Sequence, residues 1–438
     1  MNKDHDMMES IVSLCKRRGF IFQSFEIYGG SAGFFDYGPY GLALKNNIKN
    51  IWWKRFVTDR EDVFGIDSVI VTKKDVLEAS GHISGFADML TECTKCKRRF
   101  RVDHLDDKSK CPECGGKLGE PRQFYMMLET HIGAVEDESS LSYLRPETAQ
   151  GIFTNFKNIV DTFHPKLPFG IGQIGKAFRN EIAPRDFLFR LRELEQMEVE
   201  YFVKPDSWER SFDMWKQEIT DFAKDVGIDD KKMTEREIAD EDRAHYSKRT
   251  VDFEFEYPFG TKELYGLAYR TDFDLKNHAS KSKVDLSYMD EDTKEKFVPH
   301  VIEPSLGVDR TVLAVLVSAY REDKINDETR IYLKFDPKVA PVKVAVFPLL
   351  RNKPELIKKA KEIYSNLKKE FGAVVFDDNG NIGKRYRRQD EIGTPYCVTI
   401  DFDTIEKGAG VTVRDRDTGK QERMTEEGIA DFLRGEIL

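Results

Sequence analysis

The sequence predicts an α+β protein followed by a smaller α/β domain, and three observations carry that prediction. Between residues 170 and 203 two strand-like stretches follow one another across a short loop, and a second strand-rich region starts at 251 with DFEFEY and ELYGLAYRTDFDL. Consecutive strands without helices between them build an antiparallel sheet with its helices set apart. Beyond DPKVAP (336–341) the pattern changes to strand, helix, strand: VKVAVFPL, then PELIKKAKEIYSNLKK, then AVVFD, YCVTID and GVTVRDR. That alternation suits a small α/β unit with its own core. Finally, CTKC and CPEC interrupt the first region as two closely spaced cysteine pairs.

These breaks divide the chain into a core over 1–338 and a C-terminal domain over 339–438. The core is expected to carry a metal-binding insert at 88–122 and a charge-dense, mostly helical insert at 205–250. The chain has 438 residues, 40% of them hydrophobic, enough for two or three packed domains. No run approaches the roughly 18 apolar residues of a membrane span. The charged start, MNKDHDMMES, shows no export signal, so a cytoplasmic protein without a membrane partner is expected. A net charge of −9 gives no global footprint for nucleic acid, though a local basic patch can sit on an acidic protein.

In chain order, YGGSAGFFDYGPYG reads as turns, and 41–57 as an amphipathic helix with Leu44, Ile48, Ile51 and Trp52 on one side. VPHVIEPS (298–305) is a short strand leading into LGVDRTVLAVLVSAY, apolar enough to be a buried helix.

The chemistry sits on strand faces. If KAFRNEIAPRD (176–186) is a strand, period two places Ala177, Arg179 and Glu181 on one face. The next strand, expected over 188–203, puts Arg190, Arg192, Leu194, Gln196, Glu198 and Glu200 on one side. Leu191, Met197, Val199 and Tyr201 take the other, with Glu193 and Glu195 among them. Such a face is either solvated or the floor of a site for an anionic ligand, for which arginine's two-pronged donor fits phosphate. Glu303 and Ser305 share a face of the later strand, and Gly307 precedes a helix with Arg310 in its first turn. A helix N-terminus favours anions, so an arginine there calls for a carboxylate or phosphate partner, Asp309 being one structural option.

At this point the residues carry a resemblance. FRNE (178–181) resembles motif 2 of class II aminoacyl-tRNA synthetases, GVDR (307–310) their motif 3, and the 41–57 helix their dimer-forming motif 1. YGPYGLALKNN, EASGH, RPETAQGIF, FRNEIAPR, EQMEVEYF and EPSLGVDR, in that order along nearly the whole chain, are similar to the homodimeric glycyl type. The resemblance implies a homodimer that uses ATP with Mg²⁺, glycine and tRNA(Gly), with no DNA partner. Arg179 and Arg310 would be catalytic. ATP would meet Arg179, Asn180, Glu181, Phe189, Arg190, Leu191, Arg192, Glu193, Leu194, Glu263, Leu264 and the run Gly307, Val308, Asp309, Arg310. Glycine would meet Arg101, Glu147, the run Leu194, Glu195, Gln196, Met197, Glu198, and the run Glu303, Pro304, Ser305, Leu306, Gly307. One position departs from the family: Leu194 stands where a phenylalanine usually stacks on adenine.

Cys93, Cys96, Cys111 and Cys114 form C-x2-C-x14-C-x2-C, a tetrahedral zinc pattern of the structural kind, since four thiolates leave no open position. GKRYRRQDE (383–391), a tyrosine among basic residues, suits single-stranded RNA as well as it suits a charged surface. The rival to an enzyme is a synthetase-like RNA-binding or regulatory protein that has lost activation.

Overall fold

The computed structural model describes residues 3–244, 246–325 and 328–437. Its centre is a seven-stranded sheet built from β1 (Val63–Gly65), β2 (Phe169–Phe178), β3 (Glu193–Val203), β4 (Met233–Glu237), β5 (Arg249–Tyr257), β6 (Gly260–Thr271) and β7 (His300–Gly307). In space the order is β4-β5-β6-β7-β3-β2-β1, antiparallel throughout except for the β2/β1 pairing at one edge. Strand alternation decides what each face does. Met197, Val199 and Tyr201 of β3, with Ile302 and Leu306 of β7, enter the main hydrophobic core. Against them pack α1 (Pro39–Trp53), α2 (Trp208–Asp225) and α3 (Val308–Ala319). The opposite face carries Gln196, Glu198 and Glu200 of β3 with Glu303 and Ser305 of β7, and its far end is closed by the helix Ala149–Phe163.

β2 is glycine-rich because another side chain lies across it. A Cβ on Gly175 would sit 2.1 Å from the Arg145 guanidinium, which bonds the Lys176 carbonyl at 2.6 Å and the Ser68 carbonyl at 2.8 Å. The strand is thus clamped beneath the segment that leads to Glu147.

Three sequence expectations shift. β2 ends at Phe178 and β3 begins only at Glu193, so Arg179, Glu181, Arg190 and Arg192 lie just past the strand ends. The two chains part there: Arg179 N–H still reaches the Arg192 carbonyl at 2.9 Å, but Asn180 N–H turns to Met126. The 205–250 segment is helical over α2 and one short 3-10 turn, Asp230–Lys232; its later part forms β4, an edge strand held by cross-strand charges, Arg236–Glu254 at 3.1 Å and Arg249–Glu237 at 2.9 Å. Charge pairing rather than apolar alternation defines β4, which is why its pattern imitates a solvated helix.

The C-terminal region has a second core under a five-stranded sheet, with the helices Pro354–Phe371 and Glu426–Ile437 against it. Arg330, Asp390 and Arg414 join it to the first part through buried ion pairs. GKRYRRQDE is largely spent internally. Arg385 is buried and donates to the Asp378 and Gly380 carbonyls, Tyr386 bonds Thr399, and Arg388 pairs with Asp377 at 2.6 Å.

Candidate active site

A cleft of about 440 Å³ opens over the ends of β2, β3 and β7. Arg101, Arg179, Arg190 and Arg310 converge on it, with Glu181 and Glu263 between them. Arg179 is fixed by donating its Nε to the Pro146 carbonyl at 3.0 Å, which leaves the rest of the guanidinium facing the cleft. Arg310 answers the question its helix position raises. Its partner is Glu263 at 3.0 Å, whose carboxyl the arginine holds below the usual range, and its guanidinium lies over the Phe189 ring at 4.4 Å. Asp309 serves elsewhere: it accepts from Tyr37 Oη at 2.6 Å and from Glu195 N–H at 2.8 Å.

Deeper on the same face lies an acidic chamber. Glu198 is its hub, accepting from Thr148 N–H at 3.1 Å, Gln196 at 2.8 Å and Ser305 Oγ at 2.7 Å. Glu147 is held by Gln150 at 2.8 Å and faces His82 at 3.5 Å. Glu303 accepts from Arg270 at 2.8 Å, and Arg270 is in turn gripped by both oxygens of Asp274. Burial pushes Glu303 up to about 8, with Glu198 and Glu147 adding to it against the pull of Arg270. Burial raises Glu198 and Glu200 as well, whereas Glu147 is held below the usual range because His82 and Arg270 outweigh its burial. Both Glu200 oxygens are buried without a hydrogen-bond partner. One arginine among five carboxylates leaves the chamber short of positive charge, the environment a small ammonium would complete.

Most sequence-assigned residues therefore gather around one cleft, in three different ways. Leu191, Leu194, Leu264 and Gly307 line the cleft, Asn180 is not among its lining residues and bonds the Met126 carbonyl, and Met197, Pro304, Leu306 and Val308 are buried behind it. Glu193 pairs with Lys176 at 2.8 Å, and Arg192 donates to the Glu181 and Ala32 carbonyls, so both brace the loop. Glu195 departs from the expectation of a glycine contact. It sits on the core face of β3, paired with Lys45 at 2.7 Å and Lys49 at 2.6 Å from α1. Arg101 departs too: its charged neighbours are Asp88, Asp103 and Glu181, on the arginine side of the cleft rather than in the acidic chamber. Sequence reasoning missed Arg270, whose partner Asp274 follows four residues on, and Asp252 beside Glu263, raised to about 6 by burial and by that neighbour. The alternating acids of DFEFEY were the available signal for Asp252.

The four cysteine sulfurs lie within 4.8 Å of one another, with Cys93–Cys114 at 3.5 Å and Cys96–Cys111 at 3.7 Å. Metal–sulfur bonds of about 2.3 Å in a tetrahedron separate the sulfurs by about 3.8 Å, so the donor set fits such an ion. A Cβ on Gly116 would press on Cys93 and Cys114 sulfurs at 3.1 and 3.3 Å, which explains the glycine of that knuckle.

Comparison with known proteins agrees with this geometry. Residues 134–319 match the family model described as tRNA synthetase class II core domain (G, H, P, S and T). Residues 343–436 match the one described as anticodon binding domain. The chain is 49% identical to the glycine–tRNA ligase of Thermobifida fusca over 98% of this chain and 97% of that protein. It is 48% identical to that of Streptomyces coelicolor, over 99% of both. For Clostridium acetobutylicum the figure is 47%, over 99% of this chain and 100% of the relative. A sheet with an arginine-rich cleft beside an acidic chamber, matched end to end by these relatives, places the chain in the glycine–tRNA ligase family of class II aminoacyl-tRNA synthetases.

Proposed function

We infer that the chain joins glycine to tRNA(Gly) in two steps. A glycine carboxylate oxygen attacks the α-phosphorus of ATP and pyrophosphate leaves. A ribose hydroxyl of the tRNA's terminal adenosine then attacks the glycyl carbonyl and AMP leaves. The observation that carries this reading is the adjacency of the two charge fields: the acidic chamber of Glu147, Glu198 and Glu303 borders the cleft of Arg179, Arg190 and Arg310. Arg179 feels both Glu198 and Glu263, so it stands where the substrate carboxylate would meet the α-phosphate. There it would stabilise charge developing on the phosphoryl oxygens. Glycine's ammonium would sit among the carboxylates, and Glu181 would accept from the adenine amino group. Glu263 and Asp252 would hold Mg²⁺, which neutralises phosphate charge when bound.

A zinc ion at the four thiolates would fix the insert structurally. A homodimer through α1 is supported by apolar side chains left bare nearby, Ile27 at 88% and Tyr28 at 85% exposure, with Leu42 on the helix itself. The C-terminal domain would take the anticodon. No helix among the described residues is long and apolar enough to cross a membrane.

Amino-acid-dependent ATP–pyrophosphate exchange tests the reading. Exchange with glycine, and not with alanine or serine, is expected. No exchange from folded, zinc-loaded protein, with tRNA binding retained, would make this a synthetase-like RNA-binding protein instead.

A further inference from the structure

The cysteine insert does more than decorate the core, because it builds one wall of the cleft. Strands Ala87–Glu92 and Arg99–Arg101 pair antiparallel, Leu90 opposite Arg101 and Glu92 opposite Arg99. The turn that joins them is the first cysteine knuckle. Cys93 N–H bonds the Arg98 carbonyl at 2.8 Å, Lys97 N–H bonds the Cys93 carbonyl at 3.0 Å, and Cys96 N–H points at the Cys93 sulfur at 3.5 Å. Lys97 takes a φ of 60° to close it. The far end of the same hairpin enters the cleft. Period two puts Asp88 and Arg101 on one face, where they form an ion pair of 2.9 Å with side chains 15% and 20% exposed. Both line the cleft beside Arg179 and Glu181.

One strand of the hairpin pairs again on its other edge, Ala87–Leu90 with Arg122–Tyr125, but the cysteine end has few packing partners. The cluster at that end is Cys93, Cys111 and Leu118 with Cys114, Phe100 and Leu105 partly buried against them, so three of its six residues are thiolate ligands. A core that small does not fix strand geometry on its own, and metal binding is then folding energy.

We propose that Asp88 is a positioning residue for the nucleotide, acting through Arg101, and that a metal on the four thiolates keeps the pair in the cleft wall. Metal occupancy then sets ATP affinity as well as the shape of the insert. The proposal rests on the ATP-binding reading above. Arg101 presents its charge to the nucleotide end, and Asp88 and Asp103 hold its guanidinium from two sides, the latter at 2.8 Å.

The test measures affinity for β,γ-methylene-ATP by calorimetry on the full chain, zinc-loaded and chelator-stripped. The variants are Asp88→Asn, Asp88→Glu and the control Glu92→Gln, which breaks the hairpin's other ion pair, Glu92–Arg99 at 3.1 Å, outside the cleft lining. Zinc loss is verified by metal analysis and the fold by circular dichroism. Asp88→Asn in zinc-loaded protein is expected to weaken binding roughly tenfold, the scale of one charge-assisted hydrogen bond. Pyrophosphate exchange should show that loss in KM for ATP, with kcat and KM for glycine little changed. Asp88→Glu recovers part of it and Glu92→Gln loses none. Stripping zinc weakens the wild type to a similar degree, adding Asp88→Asn then costs nothing further, and zinc restores binding.

Unchanged affinity in zinc-loaded Asp88→Asn overturns the proposal whatever the stripped protein does. So does additivity between the substitution and zinc removal. A zinc-loaded wild type that fails to bind the analogue would instead sink the ATP-binding reading, and the proposal with it.

Discussion

Glycine binding should release a proton, and the acidic chamber says in which pH range. Glu303 is pushed up to about 8 from an ordinary 4.5, so the empty chamber holds a proton at neutral pH that the unfolded chain would not. Glu147, Glu198 and Glu200 face the same volume, with Asp274, Arg270, His82 and Tyr246 beside them, so the three glutamates titrate together with Glu303. A native state that binds more protons than the unfolded chain loses stability as pH rises, here between 4.5 and about 8. An incoming ammonium reverses the preference, because it favours the ionised carboxylate and expels the proton. Glycine affinity should therefore climb as pH goes from 6 to 8, by at most about tenfold per pH unit for one proton released. Calorimetric titration with glycine in buffers of different ionisation heat reads the proton directly. Glu303→Gln should flatten the slope and weaken glycine roughly ten- to a hundredfold, the value of one charge-assisted hydrogen bond. Affinity independent of pH, with heats independent of buffer, would mean that no chamber carboxyl gives up a proton to glycine. A Glu303→Gln protein that binds glycine like the wild type would rule out Glu303 as that carboxyl.

Three further outcomes are expected. Arg179→Ala should lower kcat for pyrophosphate exchange by about 10²–10³ without altering the denaturation midpoint, since its place is where charge develops. Leu194→Phe should lower KM for ATP a few-fold, as an added aromatic contact is worth about 0.5–1.5 kcal/mol; an unchanged or raised KM would show that Phe189 already fills that role. Lys45→Met should destabilise the protein by about 3–5 kcal/mol in urea unfolding, because it strips a buried cation from Glu195 and Asp309.

The parts legible in the sequence were those written in local pattern. The faces of β3 and β7 followed from alternation, the buried helix α3 from its apolar run, and the cysteine cluster from spacing. What escaped was decided by partners far along the chain. Arg310 looked misplaced until Glu263, 47 residues earlier, reached it from β6. Alternation already set Glu195 beside Met197 and Val199, and only the resemblance assigned it to glycine; what escaped was its pairing with Lys45 and Lys49 of α1, which neutralise it on the core face. Arg270 looked like an ordinary strand residue because its second carboxylate, Glu303, comes from the neighbouring strand. Arg385 and Tyr386 mimicked an RNA-binding surface because a sequence shows their chemistry but not that carbonyls and Thr399 already occupy it.

Partners far apart in the chain also let one sheet face hold two opposite charge fields. Five carboxylates around one arginine would repel, and four arginines in one cleft would do likewise, if each group stood alone. Side by side, each field lowers the electrostatic cost of the other: Arg179 draws on Glu198, while Glu181 and Glu263 temper Arg190 and Arg310. The residual imbalance is positive in the cleft and negative in the chamber, which suits a phosphate and an ammonium held at a fixed separation. A ligand carrying only one of those charges leaves the other field uncompensated. The joined product, an aminoacyl-adenylate, spans both, so it should bind more tightly than ATP and glycine do separately. A non-hydrolysable sulfamoyl analogue of glycyl-adenylate measured against AMP and glycine would quantify that gain. Binding no tighter than AMP would mean that the two fields act independently.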